Sequence, residues 1–190
     1  MADKSRLLEL GAELCASDRN GIVWLVNAKS APARKGLIEK MVLIQASPPV
    51  VFQALTEAKD LVRWFCDRAD SDPRVGGQLN AYWKADKSGQ SGRAIFTIVA
   101  PDSLVELDWI DDVPPASNQS AKHLLRYQIR PKRESTEVLL HDEGFCPPDK
   151  ETFAVLDEGW NSVLLELKDF CERKERASKR KPASLSGQTS

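Results

Sequence analysis

Residues 37 to 56 read Leu-Ile-Glu-Lys-Met-Val-Leu-Ile-Gln-Ala-Ser-Pro-Pro-Val-Val-Phe-Gln-Ala-Leu-Thr, and two periods meet inside them. Up to Ala46, Ile38, Lys40, Val42 and Ile44 alternate with Glu39, Met41, Leu43 and Gln45, the two-residue repeat of a β-strand. Ser47-Pro48-Pro49 then opens a helix. A serine at the cap can accept an orphan backbone N–H, and prolines fit a first turn. Val51, Phe52 and Leu55 form the apolar stripe of that helix, and Leu61, Trp64 and Phe65 mark a second, from about 58 to 65.

Downstream the two-residue period returns. Pro73 to Gly77 reads as a turn. Strands follow around Leu79–Trp83, Ala94–Ile98, Leu104–Ile110, Leu124–Ile129 and Thr136–His141. The short links between most of them predict an antiparallel meander, and the polar Asp111–Ser120 segment reads as a longer loop. The last element is a helix over roughly 149–174, capped by Asp149. Phe153, Leu156, Trp160, Val163, Leu164, Leu167 and Phe170 recur along it at steps of three and four. Upstream, Leu7, Leu10, Leu14 and Cys15 predict a short helix over 5–16, and Ile22–Val26 a strand.

The order of elements predicts an α+β fold in which a curved antiparallel sheet wraps a long C-terminal helix. The residues that carry the reading also resemble a family. Ile44-Gln45-Ala46-Ser47-Pro48-Pro49-Val50-Val51-Phe52 is similar to the opening signature of the START-like (SRPBCC) superfamily, in the group related to the activator of Hsp90 ATPase. Leu61-Val62-Arg63-Trp64-Phe65, Asp72-Pro73-Arg74-Val75-Gly76-Gly77, Gly92, Pro101 to Trp109, Thr136 to His141 with Gly144-Phe145, and Gly159-Trp160 follow in the family's order. The resemblance implies the helix-grip fold over residues 37–172, with 1–36 an extension and 173–190 a basic, disordered tail. It implies a cavity between sheet and helix that takes a hydrophobic or aromatic small molecule. Two other readings come with it: a chaperone-binding or other protein-interaction module, and a cyclase- or dehydratase-like enzyme. Binding is favoured over catalysis.

Composition narrows these readings. The chain has 190 residues with 27 basic and 28 acidic side chains, so no overall basic excess points to nucleic acid as a partner. The balance hides a division, because residues 173–190 hold six basic side chains against Glu175 alone. No apolar run reaches the length of a membrane span, and no secretory signal is recognisable. Cys15, Cys66, Cys146 and Cys171 are scattered, which suggests reduced thiols and a cytoplasmic protein.

The candidate cavity lining is Trp64, Tyr82, Trp83, Phe96, Trp109, Phe153, Trp160 and Leu164. Aromatic side chains offer wide apolar contact with an N–H or O–H handle. For Trp160, on the buried helix stripe, core packing is the stronger expectation. Asp108, Arg126 and His141 are the polar candidates, since an inward charge in such a sheet would mark a pocket. A solvated sheet face is the stronger expectation for Asp108 and Arg126. His141-Asp142-Glu143 alternate faces on a strand and do not converge on one ion, and no spaced Cys/His set exists. Neither a metal nor another cofactor is expected.

Overall fold

A computed structural model of the chain describes residues 12–17, 22–27, 37–84, 90–110, 123–143 and 150–180. Nine strands run β1 Ala12–Ser17, β2 Ile22–Asn27, β3 Leu37–Ile44, β4 Arg68–Ser71, β5 Gln78–Trp83, β6 Gln90–Ala100, β7 Leu104–Ile110, β8 His123–Lys132 and β9 Ser135–Glu143. Helices α1 Pro48–Thr56 and α2 Ala58–Leu61 lie between β3 and β4, and α3 Lys150–Arg180 follows β9. The strands form one sheet in the order β1-β2-β3-β9-β8-β7-β6-β5-β4, with every pairing antiparallel. This is the α+β helix-grip arrangement that the sequence predicts.

The connection from β3 to β4 sets the shape of the interior. β3 sits beside β9, while β4 is the far edge strand. Its connection, α1 and α2, therefore crosses the sheet, and α1 packs on β7, β8 and β9 as well as on α3. The inner face alternates as a half-buried sheet must. Ile38, Val42 and Ile44 on β3, Val138 and Leu140 on β9, and Leu125, Tyr127 and Ile129 on β8 are buried. Leu164 and Leu167 of α3 close over them with no exposed surface. Each such side chain contributes about 1.5–3 kcal/mol relative to exposure.

Two turns show why particular residues stand where they do. Gly76 has φ 81°, a backbone conformation that side chains disfavour, and its N–H reaches Phe96 O at 2.8 Å. A Cβ on Gly77 would lie 2.0 Å from the Asp72 carbonyl oxygen, so only glycine fits there. In the β6–β7 turn, Ser103 N–H donates to Ala100 O at 3.1 Å with Pro101 and Asp102 between them. Asp102 takes φ 60°, which a short polar side chain tolerates.

Several elements differ from their sequence reading. Ala12–Ser17 form a strand paired with β2, not part of a helix; residues 5–11 lie outside the described residues. β4 has no two-residue hydrophobic pattern of its own and exists through its pairing with β5. α2 is a single turn that continues as turns through Phe65. Ser47 does not cap α1 with its side chain; its Oγ donates to Glu175 Oε2 at 2.9 Å instead.

The largest change is at the basic end, where α3 continues to Arg180 rather than giving way to a disordered tail at 173. Acids one turn earlier support the added turns: Lys179 lies 3.2 Å from Glu175 and Arg176 3.9 Å from Glu172. An acid four residues before a base is the favourable order on a helix. The Asp111–Ser120 loop, the Asp149 cap and residues 181–190 fall outside the described residues. Among the described residues no helix is long and apolar enough to cross a membrane.

Candidate functional site

Where α1 and α2 cross the sheet they leave a pocket. Leu55, Leu61, Trp64 and Phe65 form its helical wall, and Leu79, Leu107, Trp109, Leu125 and Tyr127 form the sheet side. Its empty space is about 250 Å³, counted together with space open to solvent. The enclosed room within it is only about 10 Å³, space for about one water molecule. A molecule of one or two rings therefore enters only if the α1–α2 wall moves aside.

The walls present carbon. Trp64 Nε1–H donates to Ala54 O at 2.9 Å, and Trp83 Nε1–H to Phe65 O at 2.6 Å. Both indole N–H groups are thus taken by backbone carbonyls. Phe65 stands at the centre of the aromatic cluster. Its ring centroid is 5.3 Å from Trp64, 5.3 Å from Trp83 and 6.4 Å from Trp109, in tilted or edge-on geometry. Such pairs add to simple burial. Gly92 makes room beneath them: a Cβ there would lie 2.7 Å from Trp109 Cζ3 and 3.3 Å from Trp83 Cζ3.

A polar group of residues adjoins the pocket on the same sheet face. Asp142 of β9 is 5% exposed. Its Oδ1 lies 2.7 Å from His123 Nε2, and its Oδ2 accepts the Trp160 indole N–H at 2.7 Å. Burial, and then the charge of Asp142, push the Tyr127 hydroxyl far above its ordinary pKa. The phenol is therefore neutral at any physiological pH. One row away Lys40, also buried, pairs with Asp157 of α3 at 2.6 Å.

Of the sequence candidates, Trp64 and Trp109 line the pocket, and Trp83 packs behind Phe65. Phe96 and Leu164 are fully buried core residues, and Trp160 binds Asp142. Phe153 falls in α3, and its side chain is outside the described residues. Tyr82, Asp108, Arg126 and His141 lie on the outer face, which removes all four from the candidate lining; for Asp108 and Arg126 a solvated face is already the stronger expectation. Strand parity is the reason: Ala81, Leu107, Leu125 and Leu140, one residue away from each, point inward and are buried. Tyr82 carries Arg68 4.0 Å above its ring. Arg126 Nε donates to Glu106 Oε2 at 2.7 Å, and His141 Nδ1 lies 3.0 Å from Glu39 Oε1.

The helical wall also differs from expectation. The described lining comes from the α1–α2 segment and the sheet, with no residue of α3 in it. Sequence reasoning missed Phe65 as a lining residue and His123 and Asp142 as the inward polar pair. Among the described residues, no group of three or more His, Cys, Asp or Glu side chains gathers as metal ligands would.

Comparison with known proteins gives consistent results. The family model described as Activator of Hsp90 ATPase homolog 1-like protein matches residues 45–172. No curated protein sequence matches the chain. Among solved structures, the Aha1 dimer from Colwellia psychrerythraea superposes with a TM-score of 0.62 at 20% identity, covering 72% of this chain and 96% of that one. A protein from Nitrosomonas europaea gives 0.62 at 13% identity over 78% of this chain and 99% of its own. DynU16, from the dynemicin biosynthetic locus, gives 0.57 at 18% identity over 73% of this chain and 48% of its own. At these identities the likeness is one of fold.

Proposed function

The chain belongs to the Activator of Hsp90 ATPase homolog 1-like family, and from that premise we propose that it binds a small apolar or aromatic molecule between the α1–α2 segment and the sheet. The observation that carries this reading is the pocket itself. Its walls are leucine and aromatic rings, and the indole N–H groups of Trp64 and Trp83 are occupied elsewhere. Such a surface gains by excluding water from another flat apolar surface and offers a charged ligand little along those walls.

Titration of the ¹⁵N-labelled chain with naphthalene tests the proposal through the tryptophan indole signals. Binding shifts the Trp64 and Trp109 resonances saturably. Leu61→Phe, which fills the helical wall, weakens the effect at least several-fold while the melting curve stays cooperative. Absence of any saturable shift refutes the proposal.

A further inference from the structure

The sheet wall of the pocket is not all carbon. Tyr127 stands on β8 between Val105 of β7 and Leu140 of β9, is 4% exposed, and lines the pocket. No hydrogen bond ties its hydroxyl to any described residue. Asp142, whose charge bears on it, has both oxygens engaged, by His123 and Trp160 at 2.7 Å each. A hydroxyl out of water without a partner is costly, and folded interiors rarely keep one. Nor is this oxygen sealed among protein atoms, as His141 Nε2 and Asn161 Oδ1 are. It opens on the space that Tyr127 lines. The indole donors of the lining are placed differently. Trp64 N–H is taken by Ala54 O, and Trp109 is only partly buried, so water competes for its N–H.

Two properties decide what this hydroxyl takes. A phenol kept neutral by burial is a hydrogen-bond donor. The Asp142 charge that disfavours a phenolate at this oxygen disfavours an anionic ligand oxygen beside it for the same reason. The complement is a neutral acceptor, and a carbonyl on a flat apolar body suits both the donor and the carbon walls. Position reinforces the point. The α1–α2 wall must move aside to admit such a molecule, but Tyr127 belongs to the opposite wall, on a strand paired on both sides. The donor keeps its place while the helical wall yields.

We propose that the Tyr127 hydroxyl is the polar anchor of this pocket and selects neutral aromatic ligands that carry a carbonyl group, donating a hydrogen bond to the carbonyl oxygen. The proposal rests on the pocket reading above and adds the chemistry of the ligand to it.

Calorimetric titration of the full chain with naphthalene, 2-acetylnaphthalene and 2-isopropenylnaphthalene tests it. The last two share a shape, with C=CH₂ in place of C=O. One net hydrogen bond makes the ketone bind about tenfold more tightly than the isopropenyl analogue. Tyr127→Phe removes the hydroxyl alone and abolishes that preference. The carbonyl stretch of the bound ketone gives a second readout. The hydrogen bond lowers it in the unaltered chain, and in Tyr127→Phe it returns to its value in an apolar solvent. Thermal melting without ligand gives a third. Loss of an unpartnered hydroxyl leaves Tm unchanged or raised, whereas a fall of about 3 °C or more marks a hydroxyl already bonded within the protein and overturns the proposal. Equal affinities for ketone and isopropenyl analogue in the unaltered chain, or a preference that survives Tyr127→Phe, overturn it as well and leave the apolar pocket standing. If none of the three molecules binds, the pocket reading fails and the proposal falls with it.

Discussion

Gly92→Ala adds one methyl group under the aromatic wall, and two opposing effects decide its sign. Glycine in a strand costs about 0.5–1 kcal/mol relative to alanine, so the backbone favours the change. The side chain opposes it. The new Cβ would stand 2.7 Å from Trp109 Cζ3, where ordinary contact begins at 3.4 Å, so the ring must retreat by about 0.7 Å. Trp83 at 3.3 Å closes the other side. Both indoles are held, Trp83 by its 2.6 Å bond to Phe65 O and Trp109 by packing against Phe65, so neither is a flexible chain end. Overpacking of this kind costs about 1–3 kcal/mol. The net expectation is a loss of about 1 kcal/mol, or roughly 2–4 °C in Tm for a chain of this size. Thermal melts by circular dichroism measure the loss. The near-ultraviolet spectrum reports the moved indoles. An unchanged or raised Tm with an unchanged aromatic spectrum would refute the placement of Trp109 over Gly92.

The same substitution in α3 has the opposite sign: a Cβ on Gly159 meets nothing within 4 Å, so Gly159→Ala raises stability by about 1 kcal/mol in the same melts. Lys174→Met strands the Asp60 carboxylate, whose side chain is 9% exposed beside it. Removing one partner of a buried pair costs about 3–5 kcal/mol, reduced here to about 2 because Lys174 is itself partly exposed; urea unfolding measures it, and a loss under 0.5 kcal/mol contradicts the clamp. Acid titration reads two carboxylates. Burial alone would raise Glu172, but bonds from Lys168 and the Gln45 N–H and the charges of Lys168 and Arg176 hold it below its ordinary 4.5. Glu175 is likewise lowered, against burial, by Ser47 and Lys179. A depressed folded-state pKa stabilises above the unfolded value and is lost as pH falls through the folded one. Stability therefore declines below about pH 4.5, less steeply in Glu172→Gln/Glu175→Gln. Burial pushes the Cys171 thiol up to about 12, so peptide mapping after thiol labelling at neutral pH finds it modified only when the chain unfolds.

Much of the fold is legible because its periods are long and clean. The β3 and β9 strands alternate over eight or more residues and β8 over seven, and α3 repeats its stripe over five turns. Short runs fail for want of period. Ala-Glu-Leu-Cys-Ala-Ser fits a helix or a strand in isolation, and pairing with β2 decides it. The polar site was half legible. Leu125, Tyr127 and Ile129 share parity with His123, and Val138 and Leu140 share it with Asp142. Parity alone therefore turns His141, Arg126 and Asp108 outward, since a shift of one residue changes the face. That His123 finds Asp142 nineteen residues on requires the β8–β9 register, which no local pattern supplies. The sealing of the pocket by Phe65 likewise depends on how α1 and α2 cross the sheet.

The extra turns of α3 bear on where this structural unit ends. The family match stops at residue 172, yet Lys174 and Glu175 reach back past it. Lys174 bonds Asp60 of α2 and Gln53 of α1, and Glu175 takes both the N–H and the hydroxyl of Ser47, where α1 begins. These are the helices that form one wall of the pocket. A chain trimmed at Glu172 would keep every residue of the shared pattern and lose the hasp that holds that wall shut. In this protein the boundary of common ancestry and the boundary of mechanical integrity fall at different residues, and the second decides how easily the pocket opens.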